Sequence, residues 1–228
     1  MAEGLIGRGA TTDVPVRSLP LVPAHRADER ARLVRRARRL AWGGNAWHVV
    51  EFAIAVGAGL AAGSIALVGF GLDSLIEALA GFVILWRFAG RRAYSEQAER
   101  RAQQLIAASY FVLVAYIAVE SLRTLLGGVH PEASWVGIGL ALVTAPTMPL
   151  LARAKLRVGN QLSSSATVSE AGQNMICAYL SVALLAGLGA NALLGWWWAD
   201  PVAALAIGAV ALREGITSWQ GEACCDDC

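Results

Sequence analysis

Residues 64–86 read SIALVGFGLDSLIEALAGFVILW, an apolar stretch in which Asp73 and Glu77 are the only charged residues. It contains the ~20 residues that a helix needs to cross the ~30 Å hydrocarbon core of a bilayer. Because lipid offers the backbone no hydrogen-bond partner, such a stretch crosses the bilayer as a helix. The sequence therefore predicts a transmembrane helix with two carboxylates near its middle.

Five more stretches of the same kind lie along the chain. Hydrophobic residues make up 56% of the sequence and charged residues 16%, whereas about 25% of residues are charged in ordinary soluble domains. The fold class predicted is an all-α integral membrane bundle of six transmembrane helices. The other five spans are predicted at 41–61, 104–126, 134–152, 164–192 and 200–218.

The predicted domain organisation has three parts. Residues 1–32 form a basic N-terminal region that we expect to be disordered at its start and helical from residue 26. Residues 33–220 form the six-helix transmembrane domain. Residues 221–228 form a short Cys-rich tail, which we expect to be cytoplasmic.

Basic residues collect at one end of the predicted bundle. They precede the first span and lie between the second and third and between the fourth and fifth, while the opposite side has only Arg123. The positive-inside rule then places both termini in the cytoplasm, which predicts a multi-pass protein of the plasma or inner membrane. The net charge of +2 makes no case for nucleic-acid binding, so the expected environment is the lipid bilayer.

The charges within the spans are nearly all acidic. Each charge at mid-bilayer costs at least ~2.5–3.5 kcal/mol, and we find no intramembrane Lys or Arg to offset it. A membrane interior whose charges are nearly all negative predicts a path for a cation, with protons replacing the cation when it leaves. Proton-coupled carriers of organic cations share this feature. The residues concerned are Glu51, Asp73, Glu77, Glu120 and Glu170.

Asp73 and Glu77 are four residues apart, so they lie on one face of their helix. Together they can share a metal ion or a proton, although they can also be structural groups bonded to nearby hydroxyls. On the fifth span, Gln173 and Cys177 share a face with Glu170. Asp73, Glu77, Gln173 and Cys177 would form a site of O and S donors suited to zinc or a similar ion, while Cys177 alone is more often a small buried apolar residue.

Other polar residues are weaker candidates. Glu51, Glu120 and Glu170 are candidates for a pathway or for supporting the site. In the first span, Asn45, His48 and Glu51 recur every three residues and either line a vestibule or bond helices together. We favour packing for Asn45, leave Glu51 open, and expect His48 near the cytoplasmic interface without a function. The tail residues either capture metal or form a flexible reduced segment; they are Cys224, Cys225 and Cys228.

Three motifs resemble the cation diffusion facilitator family. Residues 63–77 resemble its second helix, with Asp73 and Glu77 at the two ligand positions. Residues 169–181 are similar to its fifth helix, with Gln173 and Cys177 where the family has His and Asp. Ala199-Asp200-Pro201 resembles the opening of its sixth helix. There we expect Asp200 to cap the helix and Pro201 to occupy its first turn.

The resemblance implies efflux of Zn²⁺, Co²⁺ or Cd²⁺ in exchange for protons by a homodimer. It implies no enzyme activity and no cofactor besides the transported ion, in a short form without the family's C-terminal cytoplasmic domain. The residues at 173 and 177 leave an alternative open, a non-transporting metal sensor or accessory subunit of the same fold. A carrier of small organic cations is a third reading. We find no nucleophile–base pair and no phosphate loop that would indicate a membrane enzyme.

Overall fold

The computed structural model describes residues 24–88, 96–127, 130–162 and 164–220. Within these ranges the chain forms six helices and no strand, which confirms the all-α, six-helix prediction. The helices are α1 Ala24–Ala62, α2 Ile65–Phe88, α3 Glu96–Gly127, α4 Trp135–Leu162, α5 Ser165–Leu194 and α6 Ala199–Gln220.

All six helices are long and apolar enough to cross a membrane. Their outward faces carry large apolar side chains, as a surface in contact with hydrocarbon requires. On α3 these side chains recur every seven residues, at Leu105, Val112, Val119 and Leu126. The helices α1, α3 and α4 extend beyond the apolar spans predicted for them, towards the Arg-rich end of the bundle.

The basic segment before the first span is helical, as expected from residue 26. Helix α1 begins at Ala24 and runs without a break to Ala62, so this segment is continuous with the first span. The domain boundary at residue 32 stays a prediction. The remaining predicted disorder and the tail at 221–228 lie outside the described residues.

Helix α2 is the centre of the bundle. In its most apolar window 78% of residues are buried, against 28–39% in the other five helices. It packs against α1, α3, α5 and α6, while α4 pairs mainly with α5 and α3 mainly with α6. A polar side chain on the buried face of α2 is therefore shielded from lipid on every side.

Glycines let α1 approach α2 closely. A Cβ at Gly71 would lie 2.9 Å from Val56 Cγ2, and one at Gly81 would overlap the side-chain amide of Asn45. Small residues at a helix crossing are the usual means of close packing within membranes. This close approach brings the polar residues of α1 against those of α2.

The buried start of α2 is capped by a residue of another helix. The Asp200 carboxylate on α6 accepts hydrogen bonds from Ser64 Oγ at 2.5 Å and from the Ile65 amide at 2.9 Å. These donors belong to the N-terminal turn of α2, whose amides have no partner within the helix. The expectation that Asp200 caps its own helix is therefore wrong, because its side chain reaches across to α2. Pro201 does lie in the first turn of α6.

Replacing Asp200 with Ala is expected to destabilise the bundle, because it leaves the Ser64 hydroxyl and the Ile65 amide buried without an acceptor. Such a loss costs about 1–3 kcal/mol and should lower the melting temperature of the protein in detergent. Asp200→Asn, which keeps one acceptor oxygen, should lose less. Glu132→Gln removes an exposed carboxylate in the connection before α4 and serves as control. A melting temperature for Asp200→Ala equal to that of the control would contradict this role.

Candidate functional site

A cluster of polar side chains fills the centre of the bundle where α1, α2, α4 and α5 meet. Its members are each at most 6% exposed, in a region otherwise lined by apolar residues. Buried polar groups of this kind are costly unless they bond to one another or to a ligand. We call this set the central cluster: His48 and Glu51 of α1, Asp73, Ser74 and Glu77 of α2, Thr144 of α4, and Asn174 and Cys177 of α5.

The Glu51 carboxylate is the hub of the central cluster. Its Oε1 accepts a hydrogen bond from Thr144 Oγ1 at 2.5 Å, and its Oε2 accepts one from Ser74 Oγ at 2.9 Å. The thiol of Cys177 donates to Oε2 at 3.7 Å. Glu51 is fully buried, so these three donors from α2, α4 and α5 replace its hydration shell.

The His48 ring joins Glu51 to the rest of the cluster. His48 lies one helical turn from Glu51, and its Nδ1 is 3.5 Å from Glu51 Oε2 and 3.2 Å from Glu77 Oε2. Its Nε2 lies 3.3 Å from Asn174 Nδ2, which also contacts Met148 Sδ at 3.2 Å. The imidazole therefore sits between the carboxylates of α1 and α2 and the amide of α5.

Three atoms of the cluster lack a hydrogen-bond partner although they are buried. They are His48 Nδ1, Glu77 Oε2 and Asn174 Oδ1. The first two are 3.2 Å apart without hydrogen-bond geometry. Buried polar atoms without a partner are rare in folded proteins, so these three atoms are candidates for contact with a ligand.

The cluster contains a group of possible metal ligands. One ligand atom each from His48, Glu51 and Cys177 lies within 4.8 Å of the other two. A nitrogen, an oxygen and a sulfur donor converging at this spacing form a donor set that suits zinc and similar ions. Glu77 Oε2 lies against the same His48 nitrogen.

Asp73 lies on the same face of α2 as Glu77, as the four-residue spacing predicted, and is 4% exposed. Glu214 of α6 is a further half-buried carboxylate, which the sequence analysis did not predict although it lies within the sixth span beside Arg213. The acidic interior thus extends from α1 through α2 to α6.

Family comparison identifies the chain. The family model of the cation efflux transmembrane domain matches residues 47–218. This range includes every member of the central cluster. The chain belongs to the cation efflux family.

A relative agrees with this assignment. An uncharacterized transporter of Synechocystis sp. is 27% identical over 168 residues, which are 70% of this chain and 54% of that protein. The chain thus spans about half the length of the curated relative it matches. The cation efflux family is a class of transporters rather than enzymes, and its transmembrane domain confirms that this is a multi-pass membrane protein.

The predicted ligand Gln173 is not among the groups that meet in the cluster. It is half-buried, whereas the next residue, Asn174, is 1% exposed and contacts His48. Both residues lie within about 60° of Cys177 around the helix, so spacing alone did not separate them. Packing against α4 turns the Asn174 side inward. The role of Gln173 stays a prediction.

His48 is buried within the bundle, while its expected place near the cytoplasmic interface stays a prediction. It is 5% exposed and contacts three members of the central cluster. The signal that could have found it is its spacing of three residues from Glu51, which places both side chains on one face of α1.

Among the described residues, a lysine is also buried in the bundle. Lys155 of α4, the chain's single lysine, places its Nζ 3.1 Å from Glu170 Oε2 of α5, with side-chain exposures of 5% and 12%. Gly44 of α1 leaves room for the ammonium group, since a Cβ there would lie 3.0 Å from Nζ. The prediction that no basic residue offsets the acidic interior is therefore wrong for Glu170.

The remaining predicted site residues are not part of the central cluster. Glu120 of α3 pairs with Arg123 at 2.8 Å, and both side chains are partly or largely exposed. They line a groove with Tyr116 and Thr124 at the end of the bundle opposite Lys155. Cys224, Cys225 and Cys228 lie outside the described residues, so their role stays a prediction.

Replacing Lys155 with Met should destabilise the protein, because it leaves the Glu170 carboxylate buried without its partner. Breaking a buried ion pair from one side costs about 3–5 kcal/mol, whereas replacing both partners with apolar residues costs far less. We therefore expect Lys155→Met to lower the melting temperature in detergent more than the double variant Lys155→Met with Glu170→Leu. The exposed Arg157→Met is the control. A single variant as stable as the wild type would show that the pair contributes nothing.

Proposed function

We propose that this chain carries divalent metal cations across the membrane and that the central cluster is where the cation binds. The observation that carries the proposal is the buried His48 ring, whose Nδ1 lies against the carboxylates of Glu51 and Glu77 with unpartnered donor atoms between them. Asp73 is buried on the same face of α2 as Glu77. Membership of the cation efflux family supports it. The relative from Synechocystis is called a transporter, which agrees in class but gives no substrate.

The negative charge of the cluster favours binding of a divalent cation. Each uncompensated carboxylate at this depth costs at least ~2.5–3.5 kcal/mol, and Lys155 is paired with Glu170 rather than with Glu77. A divalent ion between α1, α2 and α5 offsets two of these charges at once. A single monovalent cation offsets only one.

Repulsion between the same carboxylates predicts that protons are exchanged for the metal ion. When no metal is bound, carboxylates that repel one another at close range retain a proton between them. Metal ligands must be deprotonated, so the arrival of a cation releases protons and its departure takes them up again. A carrier that exposes the cluster to each side in turn would therefore exchange a metal ion for protons.

The donor types suggest which ions are carried and in which direction. Carboxylate, imidazole and thiol groups suit Zn²⁺, Co²⁺ or Cd²⁺. The Arg-rich end, by the positive-inside rule, faces the cytoplasm of a plasma or inner membrane, and efflux as a homodimer follows the resemblance stated above. Asp73 and Glu77 remain the ligands proposed from α2, with Cys177 from α5.

Removal of a single carboxylate tests the binding site. In vesicles reconstituted with the full chain and loaded with a zinc-sensitive dye, Asp73→Asn and Glu77→Gln should each lower the initial rate of zinc transport at limiting zinc at least tenfold. A tenfold loss corresponds to about 1.4 kcal/mol of binding free energy. Glu132→Gln, which removes an exposed carboxylate outside the bundle core, should transport like the wild type.

Two results would change the assignment. Wild-type rates in both α2 variants would remove the central cluster from the pathway. Zinc that binds the wild-type protein at equilibrium without any flux would favour the alternative, a metal sensor or accessory subunit with the same fold.

Proton coupling gives a second prediction. The vesicles start with equal zinc on both sides and with a lumen more acidic than the outside. Protons that leave the lumen should then drive zinc into it. A pH dye inside the vesicles should report alkalinisation that accompanies zinc entry. Collapse of the gradient with a protonophore should abolish the uphill movement, and unchanged zinc accumulation after collapse would exclude proton exchange.

A further inference from the structure

We infer that His48 of α1 is the nitrogen ligand of the transported ion, and that His48, Glu51 and Cys177 form an N, O and S subsite that selects thiophilic cations. This inference rests on the proposed function and goes beyond it. The ligand set proposed from the sequence contains no nitrogen donor and draws on α2 and α5 alone. The geometry adds α1 as a third source of ligands.

The distances support a shared ion. The ligand atoms of His48, Glu51 and Cys177 lie within 4.8 Å of one another. Zinc–ligand bonds are about 2.0–2.3 Å long, so atoms around one tetrahedral ion are separated by about 3–4 Å. Only small side-chain movements are needed for these three donors to surround one ion.

The unpartnered atoms supply an independent argument. His48 Nδ1 faces Glu51 Oε2 and Glu77 Oε2, and neither Nδ1 nor Glu77 Oε2 has a hydrogen-bond partner. An imidazole nitrogen and a carboxylate oxygen that lie 3.2 Å apart without a shared hydrogen bond are placed as two ligands of one ion are placed. Glu77 thereby becomes the fourth donor beside the subsite.

Asn174 is positioned to fix the ring of His48. A ligating histidine usually donates the hydrogen of its other ring nitrogen to an oxygen. Asn174 lies 3.3 Å from Nε2, and its Oδ1 is buried without a partner. A half-turn of this amide brings Oδ1 to Nε2–H, which leaves the lone pair of Nδ1 directed at the carboxylates.

The sulfur donor determines the class of ion. A thiolate binds borderline and soft ions such as Zn²⁺ and Cd²⁺ well and hard ions such as Mg²⁺ and Mn²⁺ poorly. When the ion binds, the Cys177 thiol loses its proton to solvent and the sulfur bonds to the metal. An aspartate at this position would accept hard ions more readily.

Cobalt spectroscopy tests the ligands without requiring transport. We would use the full chain with Cys224, Cys225 and Cys228 replaced by Ser, so that Cys177 is the one remaining thiol. Titration with Co²⁺ should produce a near-ultraviolet thiolate-to-cobalt absorption band. Cys177→Ser should abolish the band, and His48→Gln should weaken Co²⁺ binding at least tenfold and change the visible cobalt bands.

Control variants distinguish loss of a cobalt ligand from a general effect of substitution. His130→Gln replaces an exposed histidine stacked on Trp197 and should leave the cobalt spectrum unchanged. A band that persists in Cys177→Ser, or a spectrum altered by Gln173→Ala but not by His48→Gln, would overturn the inference. Melting temperatures identify any variant that has unfolded, and His48→Asn, which is smaller but keeps a polar group, then replaces His48→Gln.

Selectivity provides the second readout. In competition with zinc, the ratio of Cd²⁺ to Mn²⁺ affinity should fall at least tenfold in Cys177→Asp relative to the parent. An unchanged ratio would contradict the role of the thiolate even if transport occurs. If the parent protein transports no zinc but gives the expected cobalt spectra, the proposed transport is contradicted and the ligand assignment stands.

Discussion

Carboxylates buried at the centre of a membrane protein repel one another and have no water to stabilise them. In this chain Glu51 and Glu77 both lie against the buried His48 ring, and Asp73 is buried on the same face of α2 as Glu77. Hydroxyl and thiol donors from α2, α4 and α5 satisfy Glu51, but the His48 nitrogen and a Glu77 oxygen stay unpartnered. Under the proposed function, a bound cation would satisfy these two atoms.

The fold holds the cluster by fixing α2. The helix is surrounded by α1, α3, α5 and α6, its first turn is capped by Asp200 of α6, and glycines allow α1 to approach it closely. At the Arg-rich end, the Lys155–Glu170 pair joins α4 to α5. The Glu170 carboxylate is therefore paired within the protein, whereas a Glu77 oxygen has no partner among the described residues.

Hydropathy and helical spacing predicted much of this arrangement. The six spans followed from the length of the apolar stretches, and the shared face of Asp73 and Glu77 followed from a spacing of four residues. What the sequence could not supply is the rotation of each helix about its axis, which depends on packing between helices. For that reason the spacing did not reveal that Asn174 contacts His48, that Lys155 pairs with Glu170, or that Asp200 caps α2 rather than its own helix.

The most direct test of the account is the position of a bound ion. Crystals of the full chain grown with zinc, measured at the zinc absorption edge, should give an anomalous difference peak between α1, α2 and α5, within coordination distance of Glu51 and Glu77. An ion bound only outside the bundle, or a central cluster that stays empty at saturating zinc, would contradict the claim that these carboxylates are buried to receive a metal.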